Sequence, residues 1–396
     1  MWLTWRVIRL AIVSVNRLHL ILIGLILGLP MLLAQNRSPE EKSAAMSDRV
    51  HAGLRGPVKS STEQSTYPKM TDAAGKASEV RFELTTVYDP DGRKLTTRSR
   101  NFDGSQWVNR YEYSNSGQLL KTASGIERQA LTETTYSYDP QGRLGKISTD
   151  GRGESPVFFR YDEHGGKTKI QTSRAADYRP NMATGGSPFE AADMAPNLPD
   201  GGTTTTIYDE HDRPTEVQVR DTHGELVKRA LRTYDAQGHG REEKQICDDL
   251  VTMFPPENRQ KLLDDSGLSA DQLRQELNGQ LTKLMKGQVG PYSVSYGYDS
   301  GGRLIRTHRR IFNQEDEIDT TYNEHGDTES EITRGTRPEA ENEPTAPGPP
   351  SSYSGTRYSY QYDKHGNWTE KTVSYRSSSD AAFQSSSAIK RSLTYY

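Results

Sequence analysis

The sequence predicts a mainly β fold: β-hairpins joined edge to edge in one long curved antiparallel sheet, open or half-shell, with an inserted α-helical hairpin. Three observations carry this expectation. A Tyr-Asp turn motif recurs nine times between residues 88 and 367, at a base spacing of about 24 residues. The residues ahead of each motif alternate in polarity with period 2, the mark of a half-buried strand. The chain is also poor in aliphatic residues and rich in tyrosine. Its hydrophobic content is 32%, and it holds 21 Tyr against 8 Phe and 4 Trp. A doubly wound α/β enzyme normally carries more buried Val, Ile and Leu than the residues beyond the first 34 supply.

The first element is a leader. Arg6, Arg9 and Arg17 precede the apolar run Leu18–Ala34, which is the order of a secretory signal. Residues 1–34 read as a signal peptide cleaved after Ala34. Because Leu32 is large for its place before the cleavage point, an uncleaved signal anchor is the alternative. The run is shorter than the ~20 residues that comfortably span a bilayer. Either outcome puts the rest of the chain outside the cytoplasm: periplasmic, cell-surface or secreted. Residues 35–55 read as a polar linker, and 56–396 as the repeat domain.

Each repeat can be read residue by residue. Phe82, Leu84, Thr86 and Tyr88 share one strand face, as do Tyr292, Val294, Tyr296 and Tyr298, and Tyr358, Tyr360 and Tyr362. The motif follows, as in Tyr88-Asp89-Pro90-Asp91-Gly92-Arg93. Pro presets φ, Asp closes the turn with its side chain, and Gly takes the φ > 0 position. A second alternating strand completes the hairpin. A lone hairpin is marginal in water, so neighbours must stabilise one another. The 47-residue step from Tyr161 to Tyr208 is read as two periods with one decayed copy, and the longer steps as insertions. The terminal strand Ser392–Tyr396 is read as sealing the sheet edge.

Three segments interrupt the pattern. Residues 178–203, rich in Gly and Pro, read as a loop. Residues 335–352, acidic and Pro-rich, read as disordered. Residues 248–288 read as helical. Ser269 and Gln272 form a capping box, and Leu268 is placed to staple onto Leu273. Leu273, Leu277, Leu281 and Leu284 form one apolar stripe. Pro256 to Leu263 forms a shorter preceding helix. This helical hairpin either covers the sheet or docks a partner protein; its periodicity fits both.

Tyr138-Asp139-Pro140-Gln141-Gly142-Arg143-Leu144 and Tyr298-Asp299-Ser300-Gly301-Gly302-Arg303-Leu304 resemble the YD repeat of RHS-repeat proteins. The resemblance runs over residues 56–396. It implies a bacterial exported protein whose strands wind into a sheet or shell, and it brings carbohydrate binding, which has been linked to some relatives. Large members enclose a C-terminal toxin. Here the units are too few for a large shell, and no Asp-Pro-x-Gly processing motif precedes a variable C-terminus.

Composition narrows the chemistry. The net charge is −3, which disfavours nucleic acid as a partner. The single cysteine, Cys247, excludes a disulfide framework and a Cys-built metal site, and nothing marks it as a nucleophile. Asp162, His164, Asp209 and His211 would lie along one rim of stacked turns, where a divalent cation is conceivable, but these are also ordinary turn residues. No metal site is therefore assigned. No nucleophile elbow, P-loop, dinucleotide-binding glycine run or His-Glu-x-x-His is present. The expectation is a non-enzyme without cofactor. Its partners would be a cell-surface carbohydrate or another envelope protein, with the membrane engaged only through an uncleaved leader. Trp107 and Trp368 are the candidate ligand-binding residues. A shell component of a toxin-related system is a further alternative.

Overall fold

The computed structural model describes residues 47–71, 77–100, 104–150, 155–175, 187–193, 198–249, 251, 256–284, 292–311, 314–336 and 352–396. The leader and the core of the acidic Pro-rich segment lie outside these residues, and so does the side chain of Cys247.

A short helix, α1 (Asp48–His51), opens the described chain. Strands β1 (Val58–Thr71), β2 (Ala77–Tyr88), β3 (Lys94–Arg100), β4 (Gln106–Tyr113), β5 (Leu119–Ile126), β6 (Thr132–Tyr138), β7 (Leu144–Thr149), β8 (Val157–Tyr161) and β9 (Lys167–Arg174) follow. Helix α2 (Pro188–Asp193) precedes β10 (Gly201–Tyr208), β11 (Pro214–Arg220), β12 (Leu226–Tyr234) and β13 (Gly240–Cys247). Helices α3 (Pro256–Ser266) and α4 (Ala270–Leu284) come next. The chain then runs through β14 (Tyr292–Tyr298), β15 (Leu304–Ile311), β16 (Gln314–Tyr322), β17 (Thr328–Thr336), β18 (Ser352–Tyr362), β19 (Trp368–Arg376) and β20 (Gln384–Tyr395).

Every strand pairs antiparallel with its sequence neighbours, and β1 also pairs with β20, from Val58 opposite Tyr395 to Thr66 opposite Ala388. The result is a closed 20-stranded barrel. This corrects the expected open or half-shell sheet. The motif pattern did not mark β1, which precedes the first Tyr-Asp copy and carries none. Yet β1 gives β20 the partner that removes both free edges, and unpaired edge N–H and C=O groups are a liability. The terminal strand is therefore an interior stave and not an edge seal. Curvature accumulates from strand twist and is not written in any single repeat.

The barrel has two distinct rims. The strands β2, β4, β6, β8, β10, β12, β14, β16 and β18 all end in a motif tyrosine, so the nine turns share one rim. The insertions leave from the other rim. The step from Tyr161 to Tyr208 is thus a single repeat (β8, β9, β10) carrying a long insertion, and not two periods with a lost copy. That insertion, read as a loop, holds α2. The capping box at α4 forms reciprocally: Gln272 N–H donates to Ser269 Oγ at 3.3 Å, and Ser269 N–H to Gln272 Oε1 at 3.0 Å.

Where β1 meets β20 no Tyr-Asp turn precedes β1, and residues 47–57 strap the seam instead. On one side Asp48 accepts the Lys94 N–H at 2.8 Å and Arg49 N–H donates to Gly92 O. On the other, Arg55 N–H donates to Asn367 Oδ1 at 2.7 Å, and Asn367 Nδ2 donates back to Arg55 O at 2.8 Å. Leu54, Val58 and Tyr88 form a small core beneath the strap, joined by Leu393 and Tyr395.

Candidate functional site

The motif turns form a repeated circuit. In the turn after β6, Gly142 N–H donates to Asp139 O, and Asp139 N–H to Arg143 O. Gly142 has φ +79°, the position that closes a type I turn with a glycine bulge. Asp139 Oδ1 accepts the N–H groups of Gln141 and Arg143, and Oδ2 accepts Arg143 Nε at 2.8 Å. The Arg143 guanidinium lies 4.1 Å from the ring centre of Tyr161, the tyrosine of the next repeat. Tyr161 OH in turn donates to Leu144 O at 3.0 Å. The same links recur at Arg213 with Tyr234 and at Arg303 with Tyr322. At the copy between these two His239 replaces the arginine and stacks on Tyr298 at 4.8 Å.

This circuit accounts for the abundance of tyrosine. A ring is needed to pack under the cation, and a hydroxyl to satisfy a carbonyl at the bulge. Phenylalanine supplies only the first. The rim aspartates are likewise spent inside their own turns. At Asp299 the N–H and guanidinium of Arg303 hold the carboxyl below its ordinary range. Among the described residues no group of three or more His, Cys, Asp or Glu is placed to hold a metal ion.

The two faces of the barrel wall differ. The face bearing the motif tyrosines contains most of the buried side chains, including Tyr88, Thr86, Thr204, Thr206, Val217, Val219, Glu243 and Val294. The opposite face of β15–β17 carries an ion-pair lattice: Arg306 with Asp319, His308 with Glu315, and Arg334 with Asp319. Side chains converge on the concave side of a closed wall and diverge on the convex side, so the tyrosine face is the inner one. The outer charges sit in mid-strand, where each Arg would cost ~2–4 kcal/mol at a bilayer midplane. This stretch of wall is built for water.

Helix α2 lies on the tyrosine face. Phe189, Ala192 and Leu198 pack with Val217, Val219, Val227 and Ala230 into the larger hydrophobic core. Acidic groups of α2 answer cations of the wall: Asp193 pairs with Lys169 and accepts the Thr206 hydroxyl, and Glu190 lies 3.9 Å from Arg232. Arg232 also pairs with buried Glu243 at 2.8 Å and stacks on Phe189.

Trp107 and Trp368 both lie on this inner face, but not in one site. Trp107 is the second residue of β4, at the insertion rim, where its Nε1–H donates to Asn109 Oδ1 at 3.3 Å. Trp368 begins β19 at the motif rim. Five strand steps separate them, about 24 Å around the wall. Trp368 has the richer surroundings. The Arg391 guanidinium stacks 3.3 Å from its ring centre and pairs with Glu63 at 2.8 Å, and Tyr360 lies 6.5 Å away. Lys371 Nζ sits 4.4 Å from the ring centre of Tyr358 and 5.7 Å from that of Tyr360. Burial pushes the pKa values of both Lys371 and Arg391 down. Sequence reasoning missed Glu63, Lys371 and Arg391. Their signal was there: charged residues in phase with an aromatic stripe, as in Ile389, Arg391, Leu393 and Tyr395.

Helices α3 and α4 pack on each other at the insertion rim. Arg274 pairs with Asp249, which also accepts Asn278 Nδ2 at 3.4 Å, Arg259 pairs with Asp200, and Leu273 of α4 is buried.

No family model matches the chain, and no curated protein matches it in sequence. Among solved structures the likeness is weak. A porin-like protein from Bacteroides uniformis shares 10% identity, with 86% of this chain and 98% of that one covered, at a TM-score of 0.31. A chain of the Photorhabdus luminescens Tc holotoxin pore shares 13% identity over 77% of this chain, at a TM-score of 0.33. A chain of the TcdB2-TccC3-Cdc42 structure shares 13% over 80%, at 0.35. This chain spans 15% of each of those two toxin-complex chains.

Proposed function

We propose that this protein is an exported, non-enzymatic binding module of the cell envelope or exterior, and that it takes carbohydrate on the aromatic inner wall of its barrel. One observation carries the reading: Trp107, Trp368 and the tyrosine stripes all face the inside of a closed wall. Aromatic faces flanked by hydroxyls and charged hydrogen-bonding groups suit sugar rings, which present one apolar face and a polar rim. The basic n-region and apolar run of the leader support export. A glycan-array screen of the purified protein, with and without calcium, tests the proposal. Saturable binding to a defined sugar that is lost in Trp368→Ala or Trp107→Ala supports it, and a clean negative on all glycans refutes it.

The α3–α4 hairpin favours a second reading, docking of an envelope protein, because it stands at the insertion rim and exposes Leu268 ahead of α4. Leu277→Ala separates the alternatives. Loss of association with the fold intact supports docking, whereas loss of stability supports a packing role.

A further inference from the structure

We propose that the glycan taken by the inner wall is an uncharged one, and that it seats on β3–β7 with Trp107 as its stacking platform, not on the Trp368 wall. This inference rests on the carbohydrate reading above and adds the charge of the ligand and its place in the barrel.

The inner wall divides by charge. From β9 round to β1 it carries cations and carboxylates that answer one another. Lys169 pairs with Asp193, Arg232 with Glu243, and Arg309 with Asp316 at 2.7 Å. Lys371 and Arg391 lie in the fields of Glu63, Glu331 and Asp327. The Trp368 ring is engaged there too, for the Arg391 guanidinium already lies 3.3 Å from its centre. On β3–β7 the inward mid-strand positions hold no Asp, Glu, Lys, Arg or His among the described residues. The charges of this stretch point outwards, as in Arg98 with Glu127 and Lys121 with Glu133.

Register builds the inward surface of β3–β7 from hydroxyls, an amide and aromatic rings. Thr97, Asn109, Ser124 and Thr132 stand opposite one another on successive strands from β3 to β6. Beside that row run Tyr111, Thr122, Thr134 and Thr149, from β4 to β7. Trp107 flanks the first row on the insertion-rim side. Its side chain is half-buried, and among the described residues neither a cation nor another aromatic ring stacks on it. Trp107 Nε1–H donates to Asn109 Oδ1, and Asn109 Nδ2 donates to Thr97 Oγ1 at 2.8 Å. The amide is thereby held in one orientation, with an N–H and a lone pair to spare.

A hydroxyl both donates and accepts, so these rows answer sugar hydroxyls in either role without net charge. The open Trp107 face takes the apolar face of a sugar ring. Strands about 4.8 Å apart repeat the polar groups across the wall. A carboxylate or sulfate carried onto this stretch would lose water and meet no counter-charge, which is unfavourable. The same lack of charge costs a neutral glycan nothing.

A concentration series of the full chain on a glycan array tests this. The array carries neutral glucose, galactose, mannose and N-acetylglucosamine oligosaccharides beside uronate-, sialate- and sulfate-bearing ones. Neutral probes are expected to bind about tenfold more tightly than acidic ones, with an affinity that holds from low to high salt. Trp107→Ala weakens that binding about tenfold, Trp107→Phe keeps most of it, and Trp368→Phe leaves it unchanged. Ser124→Lys, which sets a cation in the first row, brings acidic probes up about tenfold, a gain that a misfolded variant would not show. Equal or tighter binding of acidic probes by the parent chain, unaffected binding in Trp107→Ala, lost binding in Trp368→Phe, or acidic probes unmoved by Ser124→Lys overturns this inference and leaves the carbohydrate reading standing. Absence of binding to every probe overturns both.

Discussion

The strap over the β1–β20 seam provides the sharpest test of the closed barrel. Asn367 is 1% exposed, and its side chain acts as a short stretch of backbone. Its Oδ1 accepts the Arg55 N–H at 2.7 Å, while Nδ2 donates to Arg55 O at 2.8 Å and to Tyr395 OH at 3.0 Å. Asn367→Ala removes all three hydrogen bonds. At about 1 kcal/mol net each the loss is about 3 kcal/mol, which water reaching the exposed Arg55 backbone lowers toward about 2 kcal/mol. With ~2.1 cal/mol/K of unfolding entropy per residue over a barrel of this size, the melting temperature falls by roughly 3–4 °C. The damage is local in kind. Hydrogen exchange is expected to quicken first in peptides covering residues 52–60 and 388–396, which hold the two sides of the seam, and only later in β6–β9 across the barrel. Calorimetry and exchange mass spectrometry read the two effects separately. An Asn367→Ala protein that melts at the parental temperature, with unchanged exchange at both seam peptides, would refute the strap as a closure device.

Other predictions follow from the rim and the buried tyrosines. Tyr161→Phe keeps the ring beneath Arg143 but leaves Leu144 O without its donor, and is expected to cost about 1–2 kcal/mol in urea denaturation. Gly142→Ala forces a side chain into φ +79° and is expected to cost about 1–2 kcal/mol by the same measurement. Burial, with Asp327 close by, pushes Tyr362 up to about 12 from its ordinary 10. A pKa raised in the folded state stabilises fully below pH 10 and loses that contribution as the pH climbs toward 12. Tyrosinate absorbance should therefore lag behind that of free tyrosine and rise together with loss of β circular dichroism; normal titration with the fold intact would contradict the burial. The carboxyl of Asp299 is held low by Arg303, so its contribution is present at neutral pH and is lost only as the pH falls through its depressed pKa. Asp299→Asn is expected to weaken the acid sensitivity of unfolding, read as melting temperature against pH.

Much of the architecture was legible in particular residues. Alternation such as Tyr292, Val294, Tyr296 and Tyr298 fixed strands and their faces, because period-2 patterning has one geometric solution. Pro256 and the Ser269–Gln272 pair located α3 and α4 within the insertion. The tyrosine hydroxyls were legible only as a half-wet face; that they close on Leu144 O or Pro214 O required the next strand in place. Helix α2 was invisible for a different reason. Six residues flanked by Gly and Pro carry no helical period, and α2 is held by Val217, Val219 and Arg232, which lie far from it in sequence. Trp107 and Trp368 were picked as a pair from sequence, and the four strands between theirs set them apart.

By itself the sequence determined the local units: β-hairpins with Asp-Gly turns, a tyrosine face and a helical insertion. These depend on contacts within a few residues and on backbone stereochemistry, which composition and spacing report directly. Tertiary structure decided closure, the inner or outer assignment of each face, and the gathering of Glu63, Trp368, Lys371 and Arg391 into one wall. Closure depends on twist summed over twenty strands and on a pairing between the first strand and the last, and no local pattern encodes a sum over the whole chain.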